Sequence, residues 1–144
     1  MKLKQEIGEW SESVTLLQGI LEDAPDDPEA NLLLGLTQLR MGQAALAIWP
    51  LELAGRNPEY SDQADLGLGG AYIQLDQYDA AVEAADRVLA RNPDEPELRA
   101  GALRLRASAN LGAKNPQAAI EDVQRILAAD PSDTNAAVLL AQAQ

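Results

Sequence analysis

The chain has 144 residues, with 11 Lys plus Arg against 23 Asp plus Glu, a formal net charge of −12. That is one domain's worth of chain, and at 47% hydrophobic residues it is too apolar to be an acidic disordered tail. Cysteine and histidine are both absent, which removes disulfides, thiol nucleophiles, Cys/His zinc sites and imidazole acid–base catalysis, while the scattered cations give no basic face for nucleic acid.

In chain order, Met1 to Trp10 reads MKLKQEIGEW and lacks the apolar run of a signal peptide. Compartment therefore stays open between cytoplasm and periplasm, and no later stretch is long and apolar enough to insert in a membrane. Proline landmarks then set a beat: Pro25, Pro58, Pro93 and Pro131 are 33, 35 and 38 residues apart. Small-plus-β-branched pairs keep it independently, at Ser13-Val14, Ala47-Ile48, Ala81-Val82 and Ala119-Ile120. So do Leu34-Gly35 and Leu68-Gly69, followed by Ala107 and Ala141. Within each period apolar residues recur at three- and four-residue steps in two blocks, as in Ala64, Leu68, Ala71, Tyr72 and Leu75, then Tyr78, Ala81, Val82, Ala85, Val88 and Leu89. That predicts a helix, a short turn and a second helix per unit.

The predicted units are a partial first one over 2–25, full units over 28–58, 61–93 and 96–131, and a lone helix over 134–144. Turns inside the pairs fall at Gly8, Gly42, Asp76 and Lys114, and Pro28, Pro58 and Pro96 lie near helix starts, where a missing N–H costs nothing. Pro50 falls inside a helix, where it costs about 3 kcal/mol or more and predicts a kink or break beside Trp49. The fourth unit is four residues longer, Ala119 following Ala81 by 38 where Ala81 follows Ala47 by 34, and the excess lies between Pro93 and Ala107; four residues is close to one helical turn, so its first helix is expected to gain a turn and start at Pro96.

A helix-turn-helix repeated every 34 residues, with Leu-Gly in the first helix, a small-plus-β-branched pair in the second and a closing proline, resembles the tetratricopeptide repeat. The strongest likeness is Gln63 to Pro93, with Gly69, Tyr72, Tyr78, Ala81 and Pro93 at the family's offsets. The resemblance implies an all-α, right-handed superhelical solenoid in which hairpins bury each other's apolar faces. Gly35, Gly69, Ala81, Ala107, Ala119 and Ala141 become the packing positions between helices. It also implies a concave groove lined by the first helices, here Leu32, Leu36 and Arg40, then Leu66, Gly70 and Gln74, then Arg104 and Ser108, with Val138 beyond. The Lys and Asn pair that clamps chaperone C-termini in one branch of the family is replaced by Leu32 and Leu36. An apolar peptide or amphipathic helix of another protein is then the expected ligand, with Arg40 and Arg104 meeting its acidic groups.

Chemistry finds no foothold in the motifs. Gly67-Leu68-Gly69-Gly70 resembles a dinucleotide loop but has Tyr72 at the third glycine position and no strand before it. The acidic clusters at Asp26-Asp27, Asp94-Glu95 and Asp130 with Asp133 lack calcium-loop spacing and read as helix caps. Trp10, Tyr60, Tyr72 and Tyr78 are expected in the repeat core, with Trp49 directed away from it. No enzymatic activity, cofactor or metal is expected, a hydrolase built on paired acids being a remote alternative. A nearer alternative is a tethering or regulatory segment of a larger protein. Leu139, Leu140 and Val138 offer no polar cap, so self-association through the solenoid ends is a further expectation.

Overall fold

The computed structural model describes residues 2–91 and 93–144, and among them every regular element is a helix: α1 (Lys2–Asp23), α2 (Pro28–Arg40), α3 (Ala44–Gly55), α4 (Ser61–Gln74), α5 (Tyr78–Ala90), α6 (Pro96–Gly112), α7 (Pro116–Ala129) and α8 (Thr134–Ala143). Consecutive helices pack as antiparallel neighbours, and α2, α4, α6 and α8 also touch in succession, whereas among the described residues α3, α5 and α7 do not touch one another. The layer whose members meet lies on the inside of the curve and the splayed layer on the outside. That places the first helix of each hairpin on a concave wall.

Local chemistry explains the turns. Gly42, Asp76 and Lys114 all have positive φ, at 74°, 57° and 62°. Around each, the residue after the turn donates to a carbonyl five residues back: Gln43 to Gln38 at 2.8 Å, Gln77 to Tyr72 at 2.8 Å and Asn115 to Asn110 at 2.7 Å. These are Schellman closures, in which a left-handed residue lets the chain satisfy the last carbonyls of one helix before starting the next. Helix starts are set by Pro28, Pro96 and Pro116 in the first turn, and by Asp27 and Asp133, whose carboxylates accept from Ala30 N at 2.8 Å and Ala136 N at 3.0 Å. Asn31, buried, ties the approach to α2 by donating to Pro25 O and Asp27 O.

Three local expectations are corrected. The chain does not turn at Gly8, because α1 runs unbroken through it. Gly8 has open space around it and ordinary helical neighbours, and a glycine inside an exposed helix costs only about 1 kcal/mol. Of the kink or break expected beside Trp49, the break does not occur, because α3 continues through Pro50 to Gly55. Only one backbone bond is lost there, and Ala47, Leu51 and Ala54, all fully buried, hold the turns on either side against the core. Ala141 is exposed rather than packed, because α8 uses Ala136, Leu139, Leu140 and Ala143 against the core, and residue 141 falls on the opposite face. The same packing makes Leu139 and Leu140 interior contacts instead of a bare end.

In the fourth unit α6 has 17 residues, against 13 in α2 and 14 in α4, and it begins at Pro96. Two apolar clusters run along the stack. One gathers Leu32, Ala47, Leu51, Ala54, Ala64, Leu68 and Ala84 with Tyr60 and Tyr72 against it; the other gathers Leu103, Ala107, Ala119, Val123, Ile126 and Ala136. Small residues let the backbones close. A Cβ on Gly35 would sit 2.5 Å from Leu51 Cγ, and one on Gly69 would sit 2.1 Å from Leu105 Cδ2. Ala81, Ala107 and Ala119 are fully buried.

Two stability predictions follow from these positions. Lys114→Gly relieves a left-handed lysine and raises stability by about 1 kcal/mol, while Gly42→Ala lowers it by about the same; thermal unfolding by circular dichroism reads both. Gly69→Leu overpacks against Leu105 and destabilises by about 1 to 3 kcal/mol. Its neighbour Gly70, where an added Cβ meets nothing within 4 Å, is instead stabilised by about 0.5 to 1 kcal/mol on replacement with Ala. Equal melting temperatures for the two glycine variants would contradict the packing described.

Candidate functional site

The concave wall is built from one face each of α2, α4, α6 and α8. Its residues divide sharply by surroundings. Leu32 is only 5% exposed and belongs to the core, so it cannot meet a ligand; the hairpin formed by α2 and α3 closes over it. Leu36 is half-buried against the same cluster, and Arg40 at the end of α2 is exposed. On α4, Leu66 is half-buried and lies over Gly101 of α6, its Cδ1 3.7 Å from where a Cβ there would be. Gln74 is exposed and its amide reaches back to donate to Leu39 O at 3.4 Å, tying the end of α4 to that of α2. Ser108 is half-buried and Val138 exposed.

Gly70 is the opening in this wall. Gly67, three residues earlier, faces Leu51 and Leu36 at 3.1 to 3.2 Å, and Gly69 is filled by Leu105, but the direction a Gly70 side chain would take is empty. Thus α4 is closed on its packing sides and open between Leu66 and Gln74. Leu33, which the sequence reading did not single out, is 46% exposed on α2. It occupies the position that Gly67 and Gly101 hold 34 and 68 residues later, where those glycines face the preceding first helix; α2 has only α1 before it.

Arg104 does not simply line the wall. It pairs with Asp133 at the start of α8, 3.5 Å away, and borders a cleft between α6 and the end of α7. Outside the wall, Trp49 is exposed, as its register predicts, with the Arg56 guanidinium 5.9 Å from its ring centre.

Arginine–carboxylate clamps hold the layers behind this wall, and pairwise sequence spacing does not show them. Asp65 of α4, buried, accepts from Arg87 Nε at 3.0 Å and Nη2 at 2.8 Å, and also from Arg91, which reaches Asp62 at 2.6 Å. Asp122 of α7, also buried, takes Arg106 Nε and Nη2 at 2.8 and 2.6 Å, and the same guanidinium holds Asp86 of α5 at 2.8 Å. The bonds to Asp122 push the Arg106 pKa up, against the opposing effect of burial, so the charge is permanent. At the rim Asp130 accepts from the Ser132 hydroxyl and N–H, and the hydroxyl bond above all holds its carboxyl below the ordinary value. Asp122→Ala should cost about 2 kcal/mol, less than a fully buried pair because Arg106 keeps Asp86 and some solvent. Asp86→Ala, at an exposed partner, should cost under about 1 kcal/mol. Denaturant unfolding of the two variants checks the order.

Comparisons with known proteins agree with this geometry. The family model for the tetratricopeptide repeat matches residues 2–64 and 66–134. Among solved structures, a crystal structure of MamA is similar with a TM-score of 0.82 and 24% identity, over 97% of this chain and 80% of that one. A second MamA crystal structure gives 0.81 and 23%, over 99% and 75%. A MamA RS-1 ArsTM double mutant gives 0.74 and 18%, over 99% and 87%. No curated protein sequence matches.

Proposed function

The chain belongs to the tetratricopeptide repeat family, and from that premise we propose that it is a non-catalytic scaffold whose concave wall takes an apolar peptide or amphipathic helix from another protein. Proteins of this family generally serve as interaction scaffolds, and the first helices here stand in the succession such a wall requires. The observation that carries the reading is the opening at Gly70. A helix packed on its flanks by Gly67 and Gly69 leaves one direction free, and that direction lies between half-buried Leu66 and exposed Gln74. Leu36, Leu66 and Val138 supply apolar contact to a ligand there, while Arg40 and Gln74 supply polar contact at one end.

Asp27 and Asp133 are engaged as caps, whereas Glu95, at the start of α6 and expected to cap it, makes no side-chain cap bond; among the described residues no three potential metal ligands come together. The charge of −12 gives the scaffold a field that speeds encounter with basic partners and weakens as salt is added.

Gly70 also supplies a clean test, because a side chain there does not disturb packing. In affinity capture from the source lysate, Gly70→Glu should lose at least about tenfold of a partner held by the parent, the loss expected of a charge placed in an apolar contact. Leu16→Glu, on the exposed face of α1, should retain it, with circular dichroism showing all three proteins equally helical. A partner bound equally by parent and Gly70→Glu would move the contact off the concave wall.

A further inference from the structure

Both ends of the stack are half-hairpins. Among the described residues α1 touches α2 alone, and α8 touches only α7 and α6. The repeat register gives each end complete hairpins for comparison. Ser13, Leu16 and Ile20 of α1 stand where α3 has Ala47, Pro50 and Ala54 and where α7 has Ala119, Asp122 and Ile126. All of those counterparts are buried, whereas Ser13 is exposed, Leu16 is 71% exposed and Ile20 50%. At the other end, Ala137 and Ala141 of α8 stand where α2 has Asn31 and Gly35 and α6 has Leu103 and Ala107, again all buried. In α8 both positions are exposed.

These are the faces that meet inside a complete hairpin. Gly35 of α2 approaches α3 so closely that an added Cβ would lie 2.5 Å from Leu51 Cγ and 3.2 Å from Ala47 O. Asp122 of α7 accepts from Arg106 of its own first helix, α6. Within this chain, then, α1 is a second helix without its first, and α8 is a first helix without its second. Their surfaces suit each other. Leu16 and Ile20 are large, Ala137 and Ala141 are small, and facing large and small side chains interdigitate. Glu9 and Glu12 lie two turns and one turn before Leu16 and are exposed, so an acidic helix laid there would meet like charge. Of the helices described, α8 alone has no charged side chain.

We propose that copies of this chain join head to tail, α8 of one copy packing on α1 of the next as the first and second helices of a shared hairpin. The contact is distinct from the opening at Gly70 on α4, and Leu139 and Leu140, packed in the interior, take no part in it. Each copy uses two different surfaces, so every addition leaves one of each open and the assembly grows instead of closing as a dimer. One helix pair is a small interface, below about 1,200 Å², so growth belongs to high concentration. With −12 on each copy, added salt promotes it by screening repulsion.

The test is equilibrium sedimentation of the purified full chain up to about 1 mM. Its weight-average mass should rise past twice the 15.4 kDa of one chain. Ile20→Glu and Ala141→Glu should each weaken association by at least about tenfold, as for a charge forced into an apolar contact. Mixed in equal amounts they should pair and stop at two chains, because each variant retains the face that the other has lost; that recovery also shows both to be folded. Should Ile20→Glu lose helicity by circular dichroism, Ser13→Glu takes its place. Leu46→Glu, at an exposed position of α3, should behave as the parent. A mass of one chain at every concentration would overturn the proposal and leave these faces to a different protein. Loss in only one of the two variants, the mark of like faces pairing, or a mixture that stays monomeric would overturn it as well. The result is separable from that for the concave wall, which is read by capture of another protein and not by the mass of this chain alone.

Discussion

The close approach of one first helix to the next is the constraint from which the rest of the structure follows. A helical hairpin exposes an apolar side too large to leave in water and too small to close on itself, so it is stable only against a neighbour. At Gly69 the approach leaves no room for even one carbon, because Leu105 of α6 already fills it, and at Gly35 Leu51 of α3 does the same within the hairpin. Contact on the inner layer without contact on the outer layer curves the stack. The concave wall is thus a by-product of packing. It needs no residues dedicated to making it, and its free positions are whatever the packing leaves over.

Charge is organised around the same architecture. Most of the acids are solvated, but Asp65 and Asp122 are buried and each is held by two arginines. Buried ion pairs rarely add much net stability, since desolvation offsets attraction, yet leaving one partner alone is costly. Their effect here is on register: Asp65 ties α4 to α5, and the Asp86–Arg106–Asp122 chain ties α5, α6 and α7 at one height. A hairpin that slid by a turn would keep much of its apolar contact and lose these bonds. Four of the eight arginines, Arg87, Arg91, Arg106 and Arg125, are used in these links, which leaves few to neutralise the outer surface and explains how a strongly acidic chain can be internally cross-braced.

Much of the fold was legible because repetition makes weak signals add. Asp76 and Lys114 would not be read as left-handed turn residues alone, but each stands where Gly42 stands in an earlier unit, and all three have positive φ. The misreadings share a cause: they assign a local role to a residue whose role is set by its neighbours in space. Gly8 looks like Gly42, but it lies inside α1 with nothing packed against it, and the helix continues. Pro50 should break an isolated helix, but Leu51 and Ala47 are held by the core on either side of it. Leu32 was placed on the groove by the family's pattern, and here the core takes it. The clamps were invisible for a related reason, since Asp65 and Arg87 lie 22 residues apart on two helices and nothing in the spacing announces the pair.

The three glycines of α4 show most directly where sequence stops and structure begins. Gly67, Gly69 and Gly70 are chemically identical and nearly adjacent, and a helix that must carry three glycines gives up roughly 0.5 to 1 kcal/mol at each. For Gly67 and Gly69 packing returns that cost, because Leu36, Leu51 and Leu105 occupy the space saved. For Gly70 nothing in the chain does. Gly8 and Gly19 of α1 are open in the same way; Gly70 differs in lying on the inner layer, where an exposed backbone suits the partner proposed above. The open direction at Gly70 points along the inner wall, between side chains that are neither fully buried nor fully solvated.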